Sequence, residues 1–263
     1  MNLLNKFLLL SNSKYAGQTT CKYLNTGVYS GKDYNGFCNV FKNNDLSSIK
    51  ERIQRHNVAV FKPPLEEIYN PPIYLYKKGR GVLKPSVAII GARSCSSYGQ
   101  KMAYKIAYEL GKRDIQVISG LAYGIDIMAH RGALDAGGST VAVLGSGILN
   151  CYPSSHKNEY DEIQKKGLII SEYGLDSKPL KHHFPFRNRL ISGLAQVVVV
   201  VEAKEKSGTM ITVNYGLDQG KTIIAVPGPA DSVYSMGTNR LIKEGAQIYT
   251  CIEDILNEGF TRT

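Results

Sequence analysis

Six short motifs, each placed after an apolar, strand-like run, hold the residues of this chain that could do chemistry. They are Gly91-Ala92-Arg93-Ser94-Cys95-Ser96-Ser97-Tyr98-Gly99, Ser119-Gly120-Leu121-Ala122-Tyr123-Gly124-Ile125-Asp126, Gly145-Ser146-Gly147, Arg187-Asn188-Arg189, Ser207-Gly208-Thr209-Met210 and Pro227-Gly228. Glycine backbone, hydroxyls and guanidinium groups make the chemistry of an anion site rather than of bond breaking. In the first motif, small residues let backbone N–H groups approach a phosphate at a helix start, and Arg93 adds a planar fork. The plainer alternative is that Gly91 and Gly99 turn the chain while Ser97 caps the helix. Lys157 opens another helix, where a cation opposes the helix dipole unless it meets an anion, and Arg187 and Arg189 repeat that pattern. Arg93, Lys157, Arg187 and Arg189 are thus expected on one edge, with Tyr98, Tyr152 and Phe186 as candidate stacking surfaces of the kind single-strand binders use.

Other chemistries fit poorly. Asp126 and His130 are four residues apart on one helix face, a spacing met more often as a helix pair than as acid–base machinery. Gly145-x-Gly147-x-x-Asn150 lacks the third glycine of a dinucleotide fingerprint. Gly216-x-x-x-Gly220-Lys221-Thr222 is one residue short of a phosphate-binding loop and precedes a strand, not a helix. His182-His183 has no third ligand at zinc spacing, so neither a metal nor a cofactor is expected. Cys95 has no basic partner by spacing and reads as a loop residue.

The elements that must position these motifs are plain from about residue 86 onward. Strands are expected at 87–90, 116–119, 140–144, 168–171, 196–201 and 222–226. Helices alternate with them near 98–112, 124–136, 156–166, 185–194 and 208–219, with further short elements near 238–244, 247–249 and 252–258. Continuous apolar strands alternating with helices mean βαβ units and a doubly wound, mostly parallel α/β sheet. In such a sheet ligands bind at the carboxyl ends of the strands, where all six motifs fall.

Residues 1–84 differ, being rich in Asn, Lys, Tyr and Ser. They read as a short extension: an amphipathic N-terminal helix, a weakly periodic stretch over 12–45, a helix at 47–56 and strands near 57–61 and 73–76, with a linker bracketed by Pro63-Pro64 and Pro71-Pro72. The apolar run Phe7–Leu10 is too short for a secretory core or a membrane span. The chain has 263 residues, a net charge of +10 and five cysteines without Cys-x-x-Cys spacing. The charge favours a polyanionic partner, nucleic acid or an anionic membrane surface. The odd thiol count favours reduced cysteines in a cytoplasm.

These motifs, together with His130-x-Gly132-Ala133-Leu134, Tyr152-Pro153, Ser171-Glu172-Tyr173, Phe184-Pro185, Ile191-Ser192-Gly193-Leu194, Glu202-Ala203 and Gly237-Thr238-Asn239-x-Leu241-Ile242-x-x-Gly245-Ala246, resemble the DprA/Smf family of DNA-processing proteins over about residues 70–250. The resemblance implies an extended Rossmann-like fold, cooperative single-stranded DNA binding, dimerisation and loading of a RecA-type recombinase during natural transformation, without catalysis, cofactor or membrane. It implies that Arg93 and Lys157 contact DNA phosphate. The Ser94–Gly99 loop, with Ser96 and Tyr98, would line the same pocket as Gly120 and the Arg187-Asn188-Arg189 motif. Two domains are expected: a shortened helical region over 1–84, where members often carry a SAM-like domain, and a Rossmann-like DNA-binding domain over 85–263, with no winged-helix domain after it. A nucleotide sensor or N-glycosidase in the same pocket is the alternative from another class. Such enzymes of the lysine-decarboxylase-like group rely on a Pro-Gly-Gly-x-Gly-Thr loop with a downstream Glu. Here Ser207-Gly208-Thr209-Met210 stands in its place, and Val213 occupies the Glu position. A purely structural scaffold would leave four cations at strand-end loops unexplained.

Overall fold

The computed structural model describes residues 1–29, 32–43 and 46–260, and the side chains at 21, 34–36, 42 and 43 lie outside that description. Of the weakly periodic stretch, positions 30, 31, 44 and 45 therefore fall outside it. The chain divides into two compact units, one of residues 1–78, 144–151 and 170–187, the other of 79–143, 152–169 and 188–263.

The first unit opens with four helices, α1 (Leu3–Ser11), α2 (Gln18–Thr26), α3 (Tyr34–Asn43) and α4 (Leu46–Arg55), followed by strands β1 (Ala59–Phe61) and β2 (Leu75–Lys78), which pair antiparallel. Phe7, Leu8, Leu9 and Leu10 of α1 are all buried, so the apolar run serves packing. Tyr15, Tyr23 and Phe37 pack ring to ring, with centroids 4.8–5.3 Å apart. The same unit holds His183, whose ring stacks on Tyr173 at 3.8 Å and whose Nδ1 meets the Gly145 carbonyl at 3.1 Å. Burial pushes its pKa from 6.5 down to about 4. The unfolded chain therefore binds a proton here that the folded chain refuses. Stability from this site is complete above pH 6.5 and drains away as pH falls toward 4, with a limiting slope of about 1.4 kcal/mol per pH unit for one proton. Denaturant midpoints between these pH values should fall for the parent and fall less for His183→Phe.

The second unit contains the sheet that carries the motifs. Its strands are β3 (Ser86–Ile90), β4 (Gln116–Ser119), β5 (Thr140–Leu144), β6 (Leu168–Ser171), β7 (Val197–Val200), β8 (Thr222–Ala225) and β9 (Gln247–Ile248). The chain crosses between units at the last residue of β5 and midway along β6. β3 pairs parallel with β4 and β7, β4 with β5, β7 with β8 and β8 with β9, with Val87 opposite Val117 and Val197, and Val198 opposite Ile223. The order β5-β4-β3-β7-β8-β9 reverses direction at β3, so the fold is α/β and Rossmann-like, with its topological switch point between β3 and β7.

The helices are α5 (Ser97–Lys112), α6 (Ile125–Asp135), α7 (Lys157–Lys166), α8 (His183–Leu194), α9 (Gly208–Asp218), α10 (Met236–Lys243) and α11 (Glu253–Leu256). One sheet face buries Val87, Ile89, Val117, Val199, Val201 and Ile224 against Ala103, Ile106, Ala107 and Leu110 of α5, Ala129 and Ala133 of α6, and Ile252 and Ile255. Alternate residues of fully buried strands thus meet one face of each helix, at the helical spacing of 3.6. The Gly216–Thr222 stretch is a helix-to-strand turn from α9 into β8 and forms no phosphate loop. Among the described residues, no helix is long and apolar enough to cross a membrane. The described cysteines Cys38, Cys95, Cys151 and Cys251 form no disulfide among the described residues; the side chain of Cys21 lies outside the description.

Candidate nucleic-acid interface

Three loops at the carboxyl ends of the strands lock onto one another within the second unit. The first runs from β3 into α5. Its helix is capped by Ser96, whose Oγ accepts from the Gly99 amide at 3.1 Å; Ser97 is the first helical residue rather than the cap. Beneath it lies Glu202, a buried carboxylate at the end of β7. It accepts from the Ser96 amide at 2.8 Å and from Ser96 Oγ at 2.5 Å. A Cβ on Gly99 would stand 2.3 Å from the carboxylate, so that position has no room for a side chain. The favourable anion seat at a helix start is therefore filled by the protein's own acid. This corrects the view of the first glycine loop as an open phosphate cradle: the Ser96 and Gly99 amides are already in use.

The second loop runs from β4 into α6. Asp126 accepts from the amides of Gly120 at 3.1 Å and Ala122 at 3.4 Å, which explains an acid in the first helical turn without catalysis. His130, one turn on, is buried with Nδ1 2.8 Å from Thr140 Oγ1. Gly124 has φ +75° and approaches the first loop so closely that a Cβ would stand 2.3 Å from the Ala92 carbonyl oxygen. The Ile125 amide donates to that same carbonyl at 3.3 Å. The third loop, 152–157, joins through His156, whose Nδ1 is 3.0 Å from the Leu121 carbonyl oxygen. Leu121 is buried with φ +57°, a conformation rare for a branched side chain and held here by its neighbours. The Tyr123 ring meets His156 edge-on at 4.9 Å, and Ser155 Oγ donates to the Tyr123 hydroxyl at 3.2 Å.

What projects from this frame is a polar, aromatic rim. Arg93, Ser94 and Lys157 are exposed, as are Tyr98, Tyr123 and Tyr152 at 41%, 50% and 44%. The Tyr98 hydroxyl donates to the Pro227 carbonyl at 2.9 Å, fixing its ring at the rim. Lys204 and Lys206 extend the rim along the loop after β7. Lys157 is paired with Asp161 in its own helix and lies 5.0 Å from the Tyr160 ring centre, so its place at a helix start has an internal explanation. Such exposed pairs contribute about 0.2–1 kcal/mol and open readily to a stronger anion.

Other sequence candidates lie inside. Arg187 and Arg189 are 3% and 0% exposed and Phe186 is buried, so none of the three presents its side chain to solvent. Buried guanidinium groups must be paired and hydrogen-bonded, which makes Arg189 part of the framework of α8. Arg187 belongs to the first unit and Asn188, half-buried, begins the second unit's share of that helix. Gly120 is buried, its amide held by Asp126. Burial and the neighbouring Glu202 charge push the Cys95 thiol above its ordinary range, away from nucleophilic thiolate. Among the described residues no group of three or more His, Cys, Asp or Glu side chains is placed to hold a metal ion.

Sequence reasoning missed Glu202, Tyr123, Lys204 and Lys206 as members of this edge. The signal for Glu202 was available, as an acid directly after the strand that borders the switch point. Replacing it with alanine should strip two hydrogen bonds from Ser96 and cost about 2–4 kcal/mol, whereas glutamine should keep most of that stability. Thermal unfolding of the two variants, with amide exchange over residues 91–99, measures the difference.

These elements make a Rossmann-like α/β protein with a basic, tyrosine-bearing rim at the carboxyl ends of its strands. The chain belongs to the DprA/Smf family: the family described as DNA recombination-mediator protein A matches residues 54–259. It is 43% identical over 196 residues to the DNA processing protein DprA of Streptococcus pneumoniae and 38% identical over 197 residues to that of Bacillus subtilis. Both matches span 74% of this chain, and they span 69% and 66% of those proteins. Protein Smf of Escherichia coli is 40% identical over 171 residues, 65% of this chain but only 46% of its own length. The fold of the present chain superposes on DprA from S. pneumoniae with a TM-score of 0.78 at 34% identity, covering 91% of this chain and 85% of that one. Against DNA processing protein A from Helicobacter pylori, described for its single-stranded DNA binding mode, the TM-score is 0.70 at 31% identity, covering 76% and 94%.

Proposed function

We propose that this DNA-processing protein binds single-stranded DNA along the rim of Arg93, Ser94, Tyr98, Tyr123, Tyr152 and Lys157, without catalysis. In this reading it shields incoming strands and passes them to a RecA-type recombinase in the cytoplasm, working as a homodimer. The observation that carries the proposal is the rim itself: exposed cations for phosphates alternate with exposed rings for bases over one rigid set of strand ends. A family neighbour described for single-stranded DNA binding supports the same ligand. A small-nucleotide pocket gains no support, because Glu202 already holds the amide a terminal phosphate would need. The Tyr98, Tyr123 and Tyr152 rings favour unstacked bases, so single strands should outcompete duplex. Titrating the protein against labelled single-stranded and duplex oligonucleotides across a salt series tests this. Steeply salt-dependent binding that prefers single strands supports it; equal affinity for duplex, or no salt dependence, overturns it.

A further inference from the structure

Helix α5 leads away from the rim, beginning beside Tyr98, and its outer face carries cations and rings in one stripe. Lys101, Tyr104, Lys105, Tyr108 and Lys112 recur at i, i+3, i+4, i+7 and i+11, which places them on one stripe. That stripe is opposite the buried Ala103, Ile106, Ala107 and Leu110. All three lysines are exposed, and the tyrosines are half-buried. No acidic residue of α5 interrupts the stripe; Glu109 lies to its side, near Arg113 at 3.8 Å. From the packed neighbour α6, Asp135 accepts from the Tyr104 hydroxyl at 2.9 Å, while Arg131 is paired with Glu159 at 2.6 Å.

Elsewhere in this unit many exposed cations are answered internally: Lys84 by Asp114, Lys165 by Glu162, Arg240 by Glu205 and Glu244. Lys101 and Lys105 take part in no ion pair among the described residues, and Lys112 lies 5.4 Å over the Tyr108 ring. The Tyr104 and Tyr108 rings are near-parallel, at 17° and 6.1 Å. Cations spaced along about 16 Å of helix, with rings between them, form a track matched to a polyanion that carries flat bases.

We infer that the outer face of α5, through Lys101, Lys105 and Lys112 with Tyr104 and Tyr108, is a second track that holds the DNA strand after it leaves the rim. This extends the reading of the rim as a single-strand site and rests on it. Charge complementarity commits the face to an anionic partner, and continuity with Tyr98 commits it to the same strand.

The test compares the full-length protein with Lys101→Ala/Lys105→Ala and Lys101→Arg/Lys105→Arg on oligothymidine of about 6 and about 25 nucleotides, lengths that cover the rim alone or continue past it. The alanine variant should lose about ten- to thirtyfold in affinity for the long strand near 0.1 M salt, and its salt slope should fall by about 1.4, since each single-strand phosphate contact contributes about 0.7. The arginine variant should retain both. An alanine variant that keeps the long-strand affinity and slope overturns the track. So does a variant whose only loss is binding to vesicles rich in anionic phospholipid. Failure of the rim reading looks different: short-strand binding by the parent would then survive Arg93→Ala.

Discussion

Gly124→Ala is expected to lower stability by about 2–5 kcal/mol and to weaken DNA binding beyond what lost folding explains. At φ +75° and ψ −120°, outside the left-handed helical well, an alanine costs about 1–3 kcal/mol on conformational grounds alone. The larger consequence is spatial. Its Cβ would stand 2.3 Å from the Ala92 carbonyl oxygen and 2.6 Å from that of Arg93, both backbone atoms that cannot rotate away. Either the second loop lifts off the first, or Arg93 moves with its backbone. Gly137 provides the control, because it also has positive φ, +78°, but a Cβ there meets nothing within 4 Å. Gly137→Ala should show only the conformational part. Urea unfolding of both variants separates strain from collision, and anisotropy titration of the folded fraction shows whether Arg93 has been displaced.

How much of this was legible in the sequence depends on where each residue's partner lies. The β3 to β8 strands and their helices fall within a few residues of the positions expected, because both faces of the sheet are buried and Val, Ile and Ala leave an uninterrupted signature. The stretch before residue 45 read as weakly periodic because α2 and α3 are short and their core is a ring cluster rather than an aliphatic stripe. At the edge, the loops were plain and the roles were not. Glu202 answers an amide 106 residues away, a distance that no local pattern reveals. Arg187 and Arg189 looked like surface cations because burying a guanidinium is costly, yet α8 buries both. Tyr123 was hidden inside a glycine motif that invited a backbone explanation. The pairing of Lys157 with Asp161, by contrast, sits at i,i+4 spacing and was open to inspection.

Replacing both Arg93 and Lys157 with alanine should reduce single-strand affinity by about 3–5 kcal/mol, if each gives up a charge-assisted phosphate contact of about 1.5–3 kcal/mol. The loss should be shared unequally. Arg93 is a planar donor fork that can bind phosphate in two places at once. Lys157 must first release Asp161, which subtracts roughly 0.2–1 kcal/mol from what its contact yields. On the geometry of that fork, Arg93→Ala should be the more damaging single change. Asp161→Asn, which frees Lys157 in advance, should tighten binding by up to a few-fold. Neither effect should depend on base identity, because phosphate contacts carry no sequence information. The salt series provides the decisive quantity: each lost contact lowers the slope by about 0.7, whereas a variant that only misfolds lowers the active fraction and leaves the slope alone. An Arg93→Ala protein with the parental slope would remove Arg93 from the phosphate path, and an Asp161→Asn protein with weakened binding would mean that the carboxylate, not the ammonium, faces the strand.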